Sequence, residues 1–198
     1  MTRRIIPILI VVVAISAAAL GYLYINQGFN LGAGGPAAVP IGGPIRLTDQ
    51  DGKPFDSASL AGKPYAVFFG FTHCPDACPT TLSEIARTED EVGAPAKELT
   101  TLFITVDPER DTPAALKEYI SNFNGNTVAL SGTPEQVAEV AKAFRVYYKK
   151  VPTSDGGYTM DHTAVLYLMD RDGKFADVIS YTEEHERFVA KIKKLLEG

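Results

Sequence analysis

Apolar positions follow two rhythms along this chain. From Ile5 to Tyr24 there are 20 residues without a charge. A helix of that length crosses the hydrocarbon core of a bilayer, about 30 Å. Beyond residue 44 the apolar residues come in short blocks between turn signals. Ile45 to Thr48 and a following extended piece flank Asp51-Gly52, a hairpin signal. Tyr65 to Phe71 is an almost unbroken apolar run, the pattern of a strand buried on both faces. A helix is predicted from about Pro79 to Glu91, a strand over Leu99 to Val106, and a helix from Pro113 to about Asn122 with Thr112 as its N-cap. Val128 to Leu130 reads as a short strand. Thr133, Pro134 and Gln136 have capping-box spacing before a helix that ends near Phe144. Val146 to Tyr158 is less regular. Thr163 to Met169 and Lys174 to Ser180 form a hairpin around Asp172-Gly173. Glu183 to Leu196 is an amphipathic helix with Phe188, Val189, Ile192, Leu195 and Leu196 on one face.

Strands alternating with helices predict an α/β layer fold with a mostly parallel centre. The organisation follows from the same pattern: a membrane anchor over residues 1–27, a flexible tether over 28–44 rich in Gly, Ala and Pro and free of charge, and one domain over 45–198. Arg3 and Arg4 should stay in the cytoplasm, which places the domain on the far side of the membrane. A cleaved signal peptide with small residues at Ser16 to Ala19 is the alternative, and the length of the apolar run favours the uncleaved anchor. No cysteine lies near this segment, which excludes a lipoprotein anchor. Without a long Arg/Ser-rich transit peptide, the inner membrane of a bacterium, with the domain in the periplasm, is the expected location. The net charge is −5 and no long basic run occurs, so nucleic acid is not an expected partner.

The chemistry concentrates at Gly70-Phe71-Thr72-His73-Cys74-Pro75-Asp76-Ala77-Cys78-Pro79, which holds the 2 cysteines of the chain. Two cysteines do not make a disulfide scaffold. Helix-terminal N–H groups favour thiolates, and Pro79 fits only the first turn of a helix, so both sulfurs are expected at an exposed helix tip. Three intervening residues allow a disulfide to close, and they equally allow the sulfurs to span a metal ion. Spacing alone leaves a redox pair and a metal site open.

A cysteine motif between a central strand and its helix, followed by a β-hairpin and a terminal helix, resembles the thioredoxin fold: three layers around a central mixed sheet, here with an inserted strand–helix unit. In such folds the residue before the hairpin strand faces the active cysteines and is usually a cis-proline. Here it is His162, in Met160-Asp161-His162-Thr163, which points to a third ligand. Asp161 is a candidate to orient the imidazole, with a plain surface carboxylate as the alternative. His73 adjoins Cys74 and is either a further ligand or a residue packed beside the loop. His185, among Glu183, Glu184 and Glu186, reads as a solvated surface residue, and Met160 as a packing residue.

Three separated stretches carry a more specific resemblance: Phe71-Thr-His-Cys74-Pro-Asp-Ala-Cys78-Pro79, Val106-Asp107-Pro-Glu-Arg-Asp111-Thr-Pro113, and Asp161-His162-Thr163 before Tyr167 to Asp170. The chain resembles the Sco/SenC family. The resemblance implies Cys74, Cys78 and His162 as ligands of one copper ion, Cu(I) or Cu(II). It implies copper delivery to the binuclear centre of cytochrome c oxidase subunit II, with other periplasmic copper chaperones and thiol reductants as further partners. The alternative is a membrane-anchored thiol-disulfide oxidoreductase that uses Cys74 and Cys78 as its redox pair. Asp107 and Asp111 match the family's acidic loop. From the residues alone, Asp111-Thr112-Pro113 is read as a turn and helix cap, and Arg110 as a local partner of one aspartate. Nothing supplies the arginine-assisted pocket of a thioredoxin-like peroxidase.

Overall fold

The structure is a computed structural model that describes residues 40–198 together with residues 15–17 and 22. Pro40–Gly198 is one compact unit, separate from Met1–Val39. The expected anchor lies outside the described residues except at those few positions. Among the described residues, no helix is long and apolar enough to cross a membrane.

The compact unit contains nine strands and four α-helices: β1 (Arg46–Asp49), β2 (Pro54–Asp56), β3 (Tyr65–Gly70), α1 (Ala77–Val92), β4 (Thr100–Thr105), α2 (Pro113–Ile120), β5 (Thr127–Ser131), α3 (Pro134–Ala143), β6 (Tyr148–Pro152), β7 (Tyr158–His162), β8 (Val165–Met169), β9 (Phe175–Ser180) and α4 (His185–Glu197). Seven strands form one sheet in the order β2-β1-β5-β4-β3-β8-β9. β3, β4 and β5 run parallel, while β1, β8 and β9 are antiparallel to their neighbours. This is a mixed central sheet in a thioredoxin-like α/β fold.

All six residues of β3 are buried, as its unbroken apolar run requires. Alternation along the strand separates two faces. Phe68 meets Phe103 at 6.1 Å between ring centroids, and Tyr119 of α2 stacks on Phe103 from the same side at 5.6 Å. Phe69 points the other way, to Phe144 at the end of α3 (5.5 Å) and Tyr167 (6.2 Å). Helices therefore cover both faces. Burying each such phenylalanine contributes about 1.5–3 kcal/mol. The caps written in the sequence form as expected. Thr112 Oγ1 accepts from the Ala115 amide at 3.3 Å, and Thr133 with Gln136 closes the full capping box of α3.

One element departs from the sequence pattern. Val146 to Tyr158 and the residues after it make a regular hairpin, β6–β7, whose register pairs Tyr148 with His162 and Pro152 with Tyr158. β6 has four exposed residues in five, so neither alternation nor an apolar run marks it. The hairpin is a two-stranded sheet of its own, not a continuation of the central one.

Candidate metal centre

β3 and β4 end side by side, Gly70 opposite Thr105. The carboxyl edge of a sheet is where α/β folds gather their functional groups, and the cysteine loop leaves from this edge. Gly70 is required by what packs on it. A Cβ there would lie 2.7 Å from Phe103 Cε2 and 2.8 Å from Cys78 Sγ. The Cys78 sulfur thus sits against the bare backbone of the strand, and Cys78 is fully buried. The expectation of two exposed sulfurs fails for this residue. The helix begins at Ala77, which places Cys78 in its first turn facing the sheet, while Cys74 on the loop is only half-buried.

Asp76, at the N-cap position of α1, makes no side-chain cap bond. Cys74 takes over part of that role: its Sγ accepts from the Cys78 amide at 3.4 Å. A sulfur at a helix N-terminus is favoured as the anion. The Cys74 thiol is held down to about 4, first by donation from the Cys78 thiol, and further by His162 and the amides of Asp76 and Cys78. Cys78 is pushed the opposite way, because its proton serves Cys74 and because it is buried. Without metal, the pair is a Cys74 thiolate backed by a Cys78 thiol.

The imidazole comes from the end of β7. His162 Nε2 lies 3.8 Å from Cys78 Sγ. Its Nδ1 lies 3.0 Å from the Thr163 carbonyl oxygen. A carbonyl only accepts, so Nδ1 donates to it, and Nε2 is the ring nitrogen turned toward the sulfurs. The carbonyl of Thr163 orients the ring, and Asp161, which is exposed, is not needed for that role. Two phenylalanines fix the ring plane edge-on, Phe71 at 5.7 Å and Phe68 at 6.5 Å. The donor atoms of Cys74, Cys78 and His162 all lie within 4.8 Å of one another. His73 is not among these donors: its Nδ1 faces Thr72 Oγ1 at 2.9 Å. Met160 is buried in the core, as its packing role predicts.

The acidic loop lies behind the site. Asp111 has a fully buried side chain. It accepts from the Thr72 amide at 3.0 Å, from Thr72 Oγ1 at 2.6 Å and from Thr105 Oγ1 at 2.6 Å. Asp111 therefore ties the cysteine loop to the sheet edge and is not a member of the donor cluster, while Thr112 caps the helix as expected. Asp107 accepts from Tyr158 Oη at 2.9 Å and from Arg110 Nε, so Arg110 does pair locally. Thr105 and Tyr158 were not singled out by the sequence, and although Phe71 and Thr72 lie inside the cysteine stretch, no motif marks their contacts. His185 also differs from its reading. It is mostly buried between α1 and α4, with Nδ1 on Glu84 and Nε2 2.8 Å from Glu91. These carboxylates, Glu84 first, raise its pKa. A long sequence separation hid both partners.

A thioredoxin-like domain that gathers two cysteines and a histidine, with donors matched to a soft or borderline ion, defines a class of thiolate–imidazole metal proteins. Comparison with known proteins narrows the class. The chain matches SCO1/SenC over residues 34–197 and belongs to that family. It is 52% identical to Bradyrhizobium japonicum ScoI, solved with copper bound, covering 78% of this chain and 99% of that one with a TM-score of 0.72. Yeast Sco1, also solved with copper bound, is 36% identical over 80% of this chain and 90% of that one, with a TM-score of 0.72. An SCO2-like protein of Rickettsia prowazekii is 41% identical over 69% of this chain and 68% of its own length. The mitochondrial SCO1 homolog of Homo sapiens is 39% identical over 77% of this chain, which spans 52% of the human protein.

Proposed function

We propose that this chain is a copper metallochaperone. It binds one copper ion through Cys74, Cys78 and His162 and delivers it to the binuclear copper site of cytochrome c oxidase subunit II. In this reading residues 1–27 anchor it in the inner membrane, residues 28–44 tether it, and residues 45–198 work on the periplasmic side. One observation carries the reading: two sulfurs and an imidazole nitrogen converge within 4.8 Å. Family membership supports it, as does copper in the two related structures.

Copper here is cargo, not a resident cofactor. Two thiolates suit Cu(I), and the imidazole adds a donor that Cu(II) accepts. Loading needs both sulfurs reduced and Cys78 without its proton, so binding releases at least that proton. Half-buried Cys74 is the donor that a target's ligands reach first, which makes it the point of exchange. Copper titration of the full chain beside His162→Ala tests the reading. An unchanged affinity and spectrum in His162→Ala would remove the three-donor site.

The two thiols also favour a second reading, a thiol-disulfide oxidoreductase that prepares target cysteines. The Cys74 thiolate attacks a target disulfide, forming a mixed disulfide and expelling one target thiolate. Cys78 then loses its proton and attacks Cys74 Sγ, releasing the second target thiolate. The target is reduced by two electrons and Cys74–Cys78 becomes the disulfide. His162→Ala should keep this activity, whereas serine at either cysteine should abolish it. A reduction rate no faster than that of a free dithiol would exclude it.

A further inference from the structure

The loop between β4 and α2 reaches both halves of the donor cluster. Its Asp111 end binds the cysteine loop through Thr72. Its Asp107 end binds the hairpin that carries His162. Arg110 Nη1 donates to the Tyr158 carbonyl at 3.0 Å, and its guanidinium carbon lies 3.8 Å from the Tyr158 ring centroid. The Tyr158 hydroxyl donates to Asp107, which also takes Arg110 Nε. Further out, Lys150 pairs with Glu109 at 2.7 Å. A second path runs through the ring of Phe71, whose centroid is 6.0 Å from the Arg110 guanidinium and 5.7 Å from the His162 ring.

The hairpin needs such ties. It adds no strand to the central sheet. A groove of about 310 Å³ lies between it and the loop, lined by Val106, Pro108, Glu109, Tyr148, Lys150 and Met160. Met160 anchors the hairpin in the core, and around this groove polar contacts tie the hairpin to the loop. The Asp107 side chain is 1% exposed, and Arg110 Nη2 is buried without a hydrogen-bond partner among the described residues. The ion pair therefore sits inside the joint, not on its solvated rim, where its geometry would be loosely held.

We propose that Asp107, Arg110 and Tyr158 form a brace that sets His162 against the two thiols, which makes them positioning residues for the copper site. The proposal rests on the copper reading above. The brace acts on one donor only: Cys74 and Cys78 hang from Asp111 and Gly70, His162 from Asp107 and Arg110. Losing it should leave the dithiol intact and loosen the imidazole.

The test uses the full chain in detergent, with Arg110→Met and Tyr158→Leu compared in the wild-type and His162→Ala backgrounds. Groups that orient a ligand typically change metal affinity 10–100-fold, so each variant should weaken Cu(II) binding by about that factor in the wild-type background. In the His162→Ala background the same variants should have no further effect, because the donor they position is gone. In the metal-free protein, amide hydrogen exchange should speed up across residues 148–162 and stay unchanged across residues 70–78. An equal penalty in both backgrounds, or unchanged exchange in the hairpin, would overturn the brace. If Arg110→Met does not fold, Tyr158→Leu, at a half-exposed position, decides alone. If instead His162→Ala binds copper like the wild type, the ligand reading has failed, and the exchange data still report whether the brace holds the hairpin.

Discussion

Replacing Asp111 by alanine should detach the cysteine loop from the sheet edge. The carboxylate takes three donors: the Thr72 amide, the Thr72 hydroxyl and the Thr105 hydroxyl. It is fully buried, so water does not replace it. Each donor left without an acceptor costs about 1–3 kcal/mol. The two hydroxyls can rotate toward other acceptors, but the Thr72 amide is fixed by the backbone. Removing a buried charge returns part of the loss. The expected destabilisation is about 3–5 kcal/mol, within a total of about 5–15 kcal/mol for a domain. For a domain of this size that lowers Tm by roughly 6–20 °C. Thr72→Val removes the hydroxyl's bond to Asp111 and its exposed contact with His73 Nδ1 but keeps the amide, so it should cost about 1–2 kcal/mol. Thermal unfolding of the metal-free chain reads both. Thr72 is two residues before Cys74, so a second signal is available: Asp111→Ala should expose Cys78 and speed its alkylation while the fold persists. A destabilisation below about 1 kcal/mol, with alkylation unchanged, would show that the carboxylate does not hold the loop.

Three further outcomes follow from other contacts. Cys74 should alkylate well before Cys78, at a rate nearly flat from about pH 6 to about pH 8 because its thiolate is already formed; equal rates, or a steep rise over that range, would contradict the assignment of the proton to Cys78. Gly70→Ala should push against Cys78 Sγ and Phe103, costing about 1–3 kcal/mol of stability and weakening copper binding together; wild-type values for both would mean that the close approach is not real. The His185 pKa is raised above 6.5 in the folded chain, so its pairing with Glu84 and Glu91 stabilises fully below that value and is lost as pH rises through the raised one. Urea unfolding of wild type against His185→Asn should therefore show a gap that is widest below 6.5 and narrows as pH rises above it, and a constant gap would count against the clasp.

What the sequence made legible is local. The run Tyr65 to Phe71 marks a strand buried on both faces because both faces are indeed covered. Thr112 and Thr133 mark helix starts because a cap acts within three residues. Gly52 and Gly173 mark hairpin turns because both adopt positive φ. The ligand triplet was legible for another reason: three motifs in a fixed order match a family, and the structure brings their donors together across 84 residues between Cys78 and His162. The supporting shell was not legible. Asp-Thr-Pro announces the cap at Thr112, but nothing local says that the Asp111 carboxylate turns inward to Thr72, 39 residues away. Tyr158 follows a glycine pair in a polar stretch, and nothing local says that Asp107 lies 51 residues away at its hydroxyl.

The division between the legible and the hidden parts has a physical basis. Ligand chemistry is set by atom type, so cysteine and histidine announce it. Ligand position is set by ordinary residues whose roles depend on what the fold places next to them. Here the position of each donor traces to one short loop. A single buried carboxylate holds the thiols' loop, and an ion pair with an aromatic lid holds the imidazole's hairpin. Cys78 sits at a helix start packed on the sheet edge, so the core fixes its place, and Cys74 lies on the loop just before it. His162 sits on a separate two-stranded sheet, so its distance to the sulfurs depends on the ties between that hairpin and the rest of the domain.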